Sequence, residues 1–279
     1  TYTSTGAQTY EANDINITAG ADVTFTTTNT AVEFQDGAAG QIVLSDATDL
    51  TITTSGGNIS IAPTIAGTDS GGGGNTAEDL TLNAAGGTVT LSNTGAAVLA
   101  TEIGDVTLTG ATIALSNSIT STGTNSAGNA ATIDINGAVT LNDNDIVITS
   151  GGASVDFSST IVSGSATPRA LTIAQGAGTV TITGNIGGTA SNDLGNITIG
   201  ATGNDGAITL SGDIGTDSVA GAAIVAVGNA GTSSITLGGA EYNTSGTQTY
   251  TADDLSLIHI SEPTRPERIA YCVLCVKKK

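Results

Sequence analysis

The chain has 279 residues, no Met, no Trp and only two Cys. Both cysteines, Cys272 and Cys275, lie in the last eight residues, so no disulfide framework can hold the body. Aromatic residues make up 3%. A globular core of this length uses bulkier anchors, so small β-branched residues and Leu must fill a thin, regular interior. Positive charge is scarcer still. Before Ser256 there are 23 acids and a single base, Arg169. That balance excludes nucleic acid as a partner, because nucleic acid rewards a basic face. It also disfavours anionic membrane surfaces. No apolar run approaches a membrane span, so no membrane insertion is expected. The missing initiator Met suggests a piece of something longer.

What is present is repetition. Leu80 to Leu91 reads LTLNAAGGTVTL: apolar-Thr-apolar, a Gly-bearing turn, then apolar-Thr-apolar. The block returns at Leu50 to Ile61 (LTITTSGGNISI) and at Leu171 to Ile182 (LTIAQGAGTVTI). In a strand, Leu80, Leu82, Val89 and Leu91 point one way, and Thr81 and Thr90 the other. Thr and Val are stiff at χ1 and Gly pairs break helices, so the pattern excludes a helix. Apolar pairs step along the chain at Ile15/Ile17, Val23/Phe25, Val32/Phe34, Ile42/Leu44, Leu50/Ile52 and Ile59/Ile61, at intervals of 8, 9, 10, 8 and 9 residues. A longer period shows as well. EYNTSGTQTYTADDLSL (Glu241 to Leu257) matches TYTSTGAQTYEANDINI (Thr1 to Ile17) at a shift of 240 residues.

Strands this short and this regular predict an all-β chain, a right-handed parallel β-helix (β-solenoid) with about ten coils of roughly 25 residues. The alternative is tandem β-sandwich repeats, which also place short strands at close and regular spacing. The units are shorter than a sandwich needs, and that favours the solenoid. The expected division is a solenoid over 1–257 and a separate tail over 258–279.

Several stretches carry a family resemblance. They are STGAQTYEANDINIT, its partner TSGTQTYTADDLSL, and GASVDFSSTIVSGSATPRALTIAQGAGTVTITGNIGG followed by LGNITI. Together they resemble large bacterial surface adhesins of the filamentous-haemagglutinin, or β-strand-repeat, kind. The resemblance implies secretion, a β-helical shaft and a role in adhesion or cell-surface architecture. It implies an extracellular location on the bacterial cell surface, and as partners the glycans or proteins of a host or neighbouring cell. It carries over no catalytic residue, and the secretion-signal region of such proteins is not in this stretch.

Catalysis has little to draw on. The only His is His259, and the body has no Cys and no Lys. Ser/His/Asp and Cys/His arrangements are therefore excluded there. The competing class is a β-helical carbohydrate-active enzyme, a polysaccharide lyase or glycoside hydrolase. A lyase needs a base beside acids, and Arg169 in ATPRAL is the sole candidate. A hydrolase needs only two carboxylates. For calcium, NDND (Asn142 to Asp145) and GND (Gly203 to Asp205) put oxygen ligands in turns. The EF-hand spacing is not met, and Asn and Asp favour turns through their own backbone hydrogen bonds. No catalytic, cofactor-binding or metal-binding residue is assigned, and no cofactor is expected. The Thr-x-Thr stretches, as in Thr24 to Thr28, resemble flat ice-binding solenoids. Those need Thr in ranks, and with variable turn lengths the Thr positions are expected to drift, leaving ordinary β-propensity as their explanation.

Composition changes abruptly near Ser256. The last 24 residues hold five of the six bases, both Cys, the only His and two of the four Pro. LIHISEPTR resembles the conceptual translation of a sequencing adapter, and Lys277 to Lys279 a translated poly-A run. A CxxC redox or metal site would need a second ligand pair or a redox fold, and neither is in the sequence. The tail 258–279 is expected to be non-native.

Overall fold

A computed structural model describes residues 1–18, 22–45, 48–68, 78–92, 103–121, 129–165, 167–188, 192–201, 203, 205–215 and 222–257. The tail, with His259, Cys272 and Cys275, lies outside the described residues.

The described residues form strands and no helix, and every strand pairing is parallel. The closely stepped apolar pairs are successive faces of one coil, and three faces complete a turn. Leu50/Ile52 lies on the first face, Ile59/Ile61 on the second and Ile65 on the third. On the first face the inward ladder runs Phe25, Ile52, Leu82, Leu108, Ile135, Phe157, Ile182, Leu210 and Leu237. The chain thus winds a parallel β-solenoid of about 8 turns. This is slightly fewer than the ten expected. Steps along the ladder are unequal, shortest from Ile135 to Phe157 and longest from Ile52 to Leu82, yet register holds. Length differences are absorbed between strands.

The core is one column of side chains along the axis, aliphatic except for Phe25, Phe34, Phe157 and Tyr250. Leu80, Leu82, Val89, Leu91, Leu171, Ile173, Val180 and Ile182 are all buried, as their spacing predicts. Each contributes about 1.5–3 kcal/mol relative to an exposed position. Thr81, Thr90, Thr172 and Thr181 face outward but are only half exposed, since the coils above and below cover their flanks. Thr27 and Thr54 break the outward rule. They are buried at the end of first-face strands, and their hydroxyls donate to the Thr30 and Gly57 carbonyls at the corner.

LTLNAAGGTVTL is therefore a corner between two faces. Glu78–Asn83 lies on the first face and Thr88–Leu91 on the second. The corner requires glycine for closeness. A Cβ on Gly87 would sit 2.4 Å from the Gly57 carbonyl oxygen, and one on Gly57 2.1 Å from that of Thr30. The left-handed residue of this turn is Ala85, at φ 49°.

The two copies of the QTY motif do not occupy equivalent faces. Tyr2 is on the first face, Tyr10 on the second and Ile15/Ile17 on the third. In the second copy, Tyr242 bridges Ile214 on the second face, Tyr250 pairs with Val227 on the third, and Leu255 with Ile235 on the first. The super-repeat has advanced by one face.

Candidate functional surface

The outward side of the first face carries the most regular chemistry. Its rank runs Thr24, Thr51, Thr81, Thr107, Asp134, Asp156, Thr181, Thr209, Thr236 and Ser256, each the direct ladder partner of the next. A second rank beside it runs Thr3, Thr26, Thr53, Asn83, Thr109 and Asn136. The expected drift of Thr positions is thus wrong for this face. Parallel register realigns the strands in each coil, whatever the intervening length. The other faces are less uniform: Ala114 and Val162 stand in the second-face rank, and Val147 and Ala226 in the third.

An aspartate ladder borders the Thr ranks. Asp49 N–H donates to the Asp22 carboxylate (3.4 Å), Asp79 N–H to Asp49 (2.9 Å), Asp105 N–H to Asp79 (2.7 Å) and Thr132 N–H to Asp105 (2.7 Å). Each carboxylate accepts from an amide at or near the start of the next coil's first-face strand, one turn along the axis. Sequence reasoning missed this ladder, although its signal is there: DVTF, DLTI, DLTL and DVTL begin at Asp22, Asp49, Asp79 and Asp105.

Asp134 and Asp156 are adjacent in the rank. Partial burial pushes the Asp134 carboxyl above its ordinary range, and the negative charges of Asp156 and Asp105 add to this. Neighbouring strands lie about 4.8 Å apart, so the two carboxylates project from adjacent rungs of one sheet face.

The other sequence candidates have structural employment. Arg169 Nε donates to the Asn142 carbonyl (3.1 Å) and Nη2 to Ser165 Oγ (3.4 Å). Asn144 Nδ2 donates to the Ser116 carbonyl (2.8 Å) and to Asn117 Oδ1 (3.0 Å), and Asp145 Oδ1 accepts from the Ala170 amide (2.8 Å). NDND and PRA are thus stacked turns stapled to each other and to the coil before. In the GND stretch Asn204 lies outside the described residues. Asp205 is buried and accepts a hydrogen bond from Asn229 Nδ2. Among the described residues no cluster of three or more His, Cys, Asp or Glu could hold a metal ion.

At the N-terminal end Tyr2 stacks on Phe25 (centroids 5.0 Å, 13° between planes) and Tyr10 on Phe34 (5.0 Å, 21°). Burial, then the proximity of Tyr2, push the Tyr10 phenol above its ordinary value, and its hydroxyl donates to Gln8 Oε1 (2.7 Å).

Fold and surface define a parallel β-solenoid with one face ranked in hydroxyls and edged by aspartates. Compared with family models, curated proteins and solved structures, the chain matches none.

Proposed function

We propose that this chain is a non-enzymatic, structural and adhesive segment of a large secreted bacterial surface protein. It acts outside the cell as a stiff spacer whose outer face contacts glycans or proteins of a host or neighbouring cell. The observation that carries this reading is the first-face rank. A ladder of short polar side chains, all hydroxyls except Asp134 and Asp156 and fixed in register by the coils beneath, suits many weak contacts to an extended polar partner. The rank belongs to a surface rather than a cleft, and such contacts need no catalytic group. The test is binding of the purified chain to cells and immobilised glycans. Replacing Thr51, Thr81 and Thr107 by Arg should abolish binding, whereas Thr90→Arg with Thr140→Arg on the second face should leave it intact. Equal effects of both sets would sink the assignment to the first face.

A second reading has one specific observation behind it. Asp134 and Asp156 are paired carboxylates, and Asp134 holds its proton more tightly than usual, as a glycoside hydrolase requires of its acid. Release of reducing ends from a polysaccharide, lost in both Asp134→Asn and Asp156→Asn, would establish it in place of the adhesive role.

A further inference from the structure

The first face carries three polar columns. Beside the two ranks, the residues two places before the main rank also stand in line. Asp22, Asp49, Asp79 and Asp105 are followed there by Thr132 and Ser154. The rank on the other side continues from Asn136 through Ser158, Thr183 and Ser211, whose amides each donate to the rung before. Successive rungs thus present two or three short hydrogen-bonding side chains. The rungs repeat at about 4.8 Å, close to the length of one sugar unit in an extended chain.

What these columns lack is as specific. Among the described residues they hold no aromatic side chain, no Arg or Lys, and no aliphatic side chain larger than that of Ala207. Protein interfaces take their energy from Trp, Tyr and Arg anchors and an apolar centre, so the face has nothing to anchor a protein. Its charges have one sign. The aspartates edge it, Asp134 and Asp156 stand within it, and Arg169, the only base before Ser256, is turned onto the Asn142 carbonyl. An anionic partner therefore meets uncompensated repulsion. Neutral sugar hydroxyls do not: they donate to carboxylates and both donate to and accept from Thr and Ser.

We propose, resting on the adhesive reading above, that the ligand of this face is an uncharged polysaccharide lying along the shaft and touching one rung after another. With no side chain to stack on, each sugar contributes little, so affinity comes from the number of rungs engaged. Chains bearing uronic acids or sulfate are rejected. The rejection eases with salt, as screening shortens the repulsion to about 8 Å at physiological strength.

The test is binding of the full chain, at low and moderate NaCl, to galactomannan and mixed-linkage β-glucan, to short oligosaccharides cut from them, and to polygalacturonate. The neutral polymers should bind at least about tenfold more tightly than their oligosaccharides, and polygalacturonate should not bind at low salt. Thr51→Arg with Thr81→Arg and Thr107→Arg should abolish neutral binding with circular dichroism unchanged. Thr51→Val with Thr81→Val and Thr107→Val keeps side-chain shape, removes only hydroxyls and should weaken it at least about tenfold, so the result does not hang on how Arg is accommodated. Polygalacturonate bound as well as the neutral polymers at low salt overturns the proposal. So does binding to cells that is lost on protease treatment but keeps its dependence on the first face, which makes the partner a protein and leaves the adhesive reading standing. Absence of binding to any cell or glycan overturns both.

Discussion

Corner residues are the most constrained in the chain. Gly87→Ala puts a methyl group 2.4 Å from the Gly57 oxygen, where only backbone can yield. Overpacking of this sort costs about 1–3 kcal/mol, and thermal melts should show the upper part of that range. Ala85 gives the opposite test. It sits at φ 49°, where an L-residue is strained by about 1–2 kcal/mol, so Ala85→Gly should hold or raise the melting temperature despite added chain entropy. A drop would show that the turn tolerates Ala without strain. Along the aspartate ladder, Asp49→Ala strands the Asp79 amide and should cost about 1–3 kcal/mol, while Asp49→Asn keeps the acceptor and should cost little. Asp134 differs in sign. Its folded pKa is raised, so the native state binds the proton more tightly than the unfolded chain does. Its charge therefore penalises folding, fully so above the folded pKa and not at all below the ordinary value of 3.8. Asp134→Asn should raise the melting temperature at pH 7, with the gain fading as pH falls towards that value.

Among the elements, each strand is three to fourteen residues long and leans only on the rungs beside it. Stability is then close to a sum of local and nearest-neighbour terms. Leu82→Ala should remove about 2–5 kcal/mol by opening a cavity between Ile52 and Leu108. Hydrogen exchange should place the loss in the coils adjoining Leu82, leaving those near Val180 protected. A uniform loss along the chain would mean that the coils melt as one unit. The apolar-Thr-apolar unit was readable as a strand because alternation survives any turn length. That successive units lie on different faces was legible from steps of 8 to 10 residues in coils of roughly 25, although a Gly-bearing turn taken alone serves a hairpin and a solenoid corner alike.

For the whole molecule, the body's charge sets the response to salt. Like charges along a rod repel, so melting temperature should rise from low to moderate NaCl, and calcium should add little beyond its ionic strength. A saturable stabilisation by micromolar Ca²⁺ would show that Asn142 to Asp145 do more than staple their turn. The long super-repeat also has a consequence at this scale. Since Tyr242 lies one face on from Tyr2, further super-repeats of this length would present any one strip on successive faces of the shaft.

Composition and period by themselves determined that the chain is all-β, that its core is aliphatic and thin, and which of Leu80, Thr81 and Leu82 turns inward. Those properties follow from side-chain volume and a two-residue alternation, and both are local. Only the tertiary structure decided which residues become neighbours across coils. Thr24, Thr51, Thr81 and Thr107 are unequally spaced along the chain, and no fixed interval joins them. They form a rank because inter-strand hydrogen bonds fix register after the loops have taken up the difference. For the same reason Asp22, Asp49, Asp79 and Asp105 form a ladder, and Asp134 and Asp156 a pair.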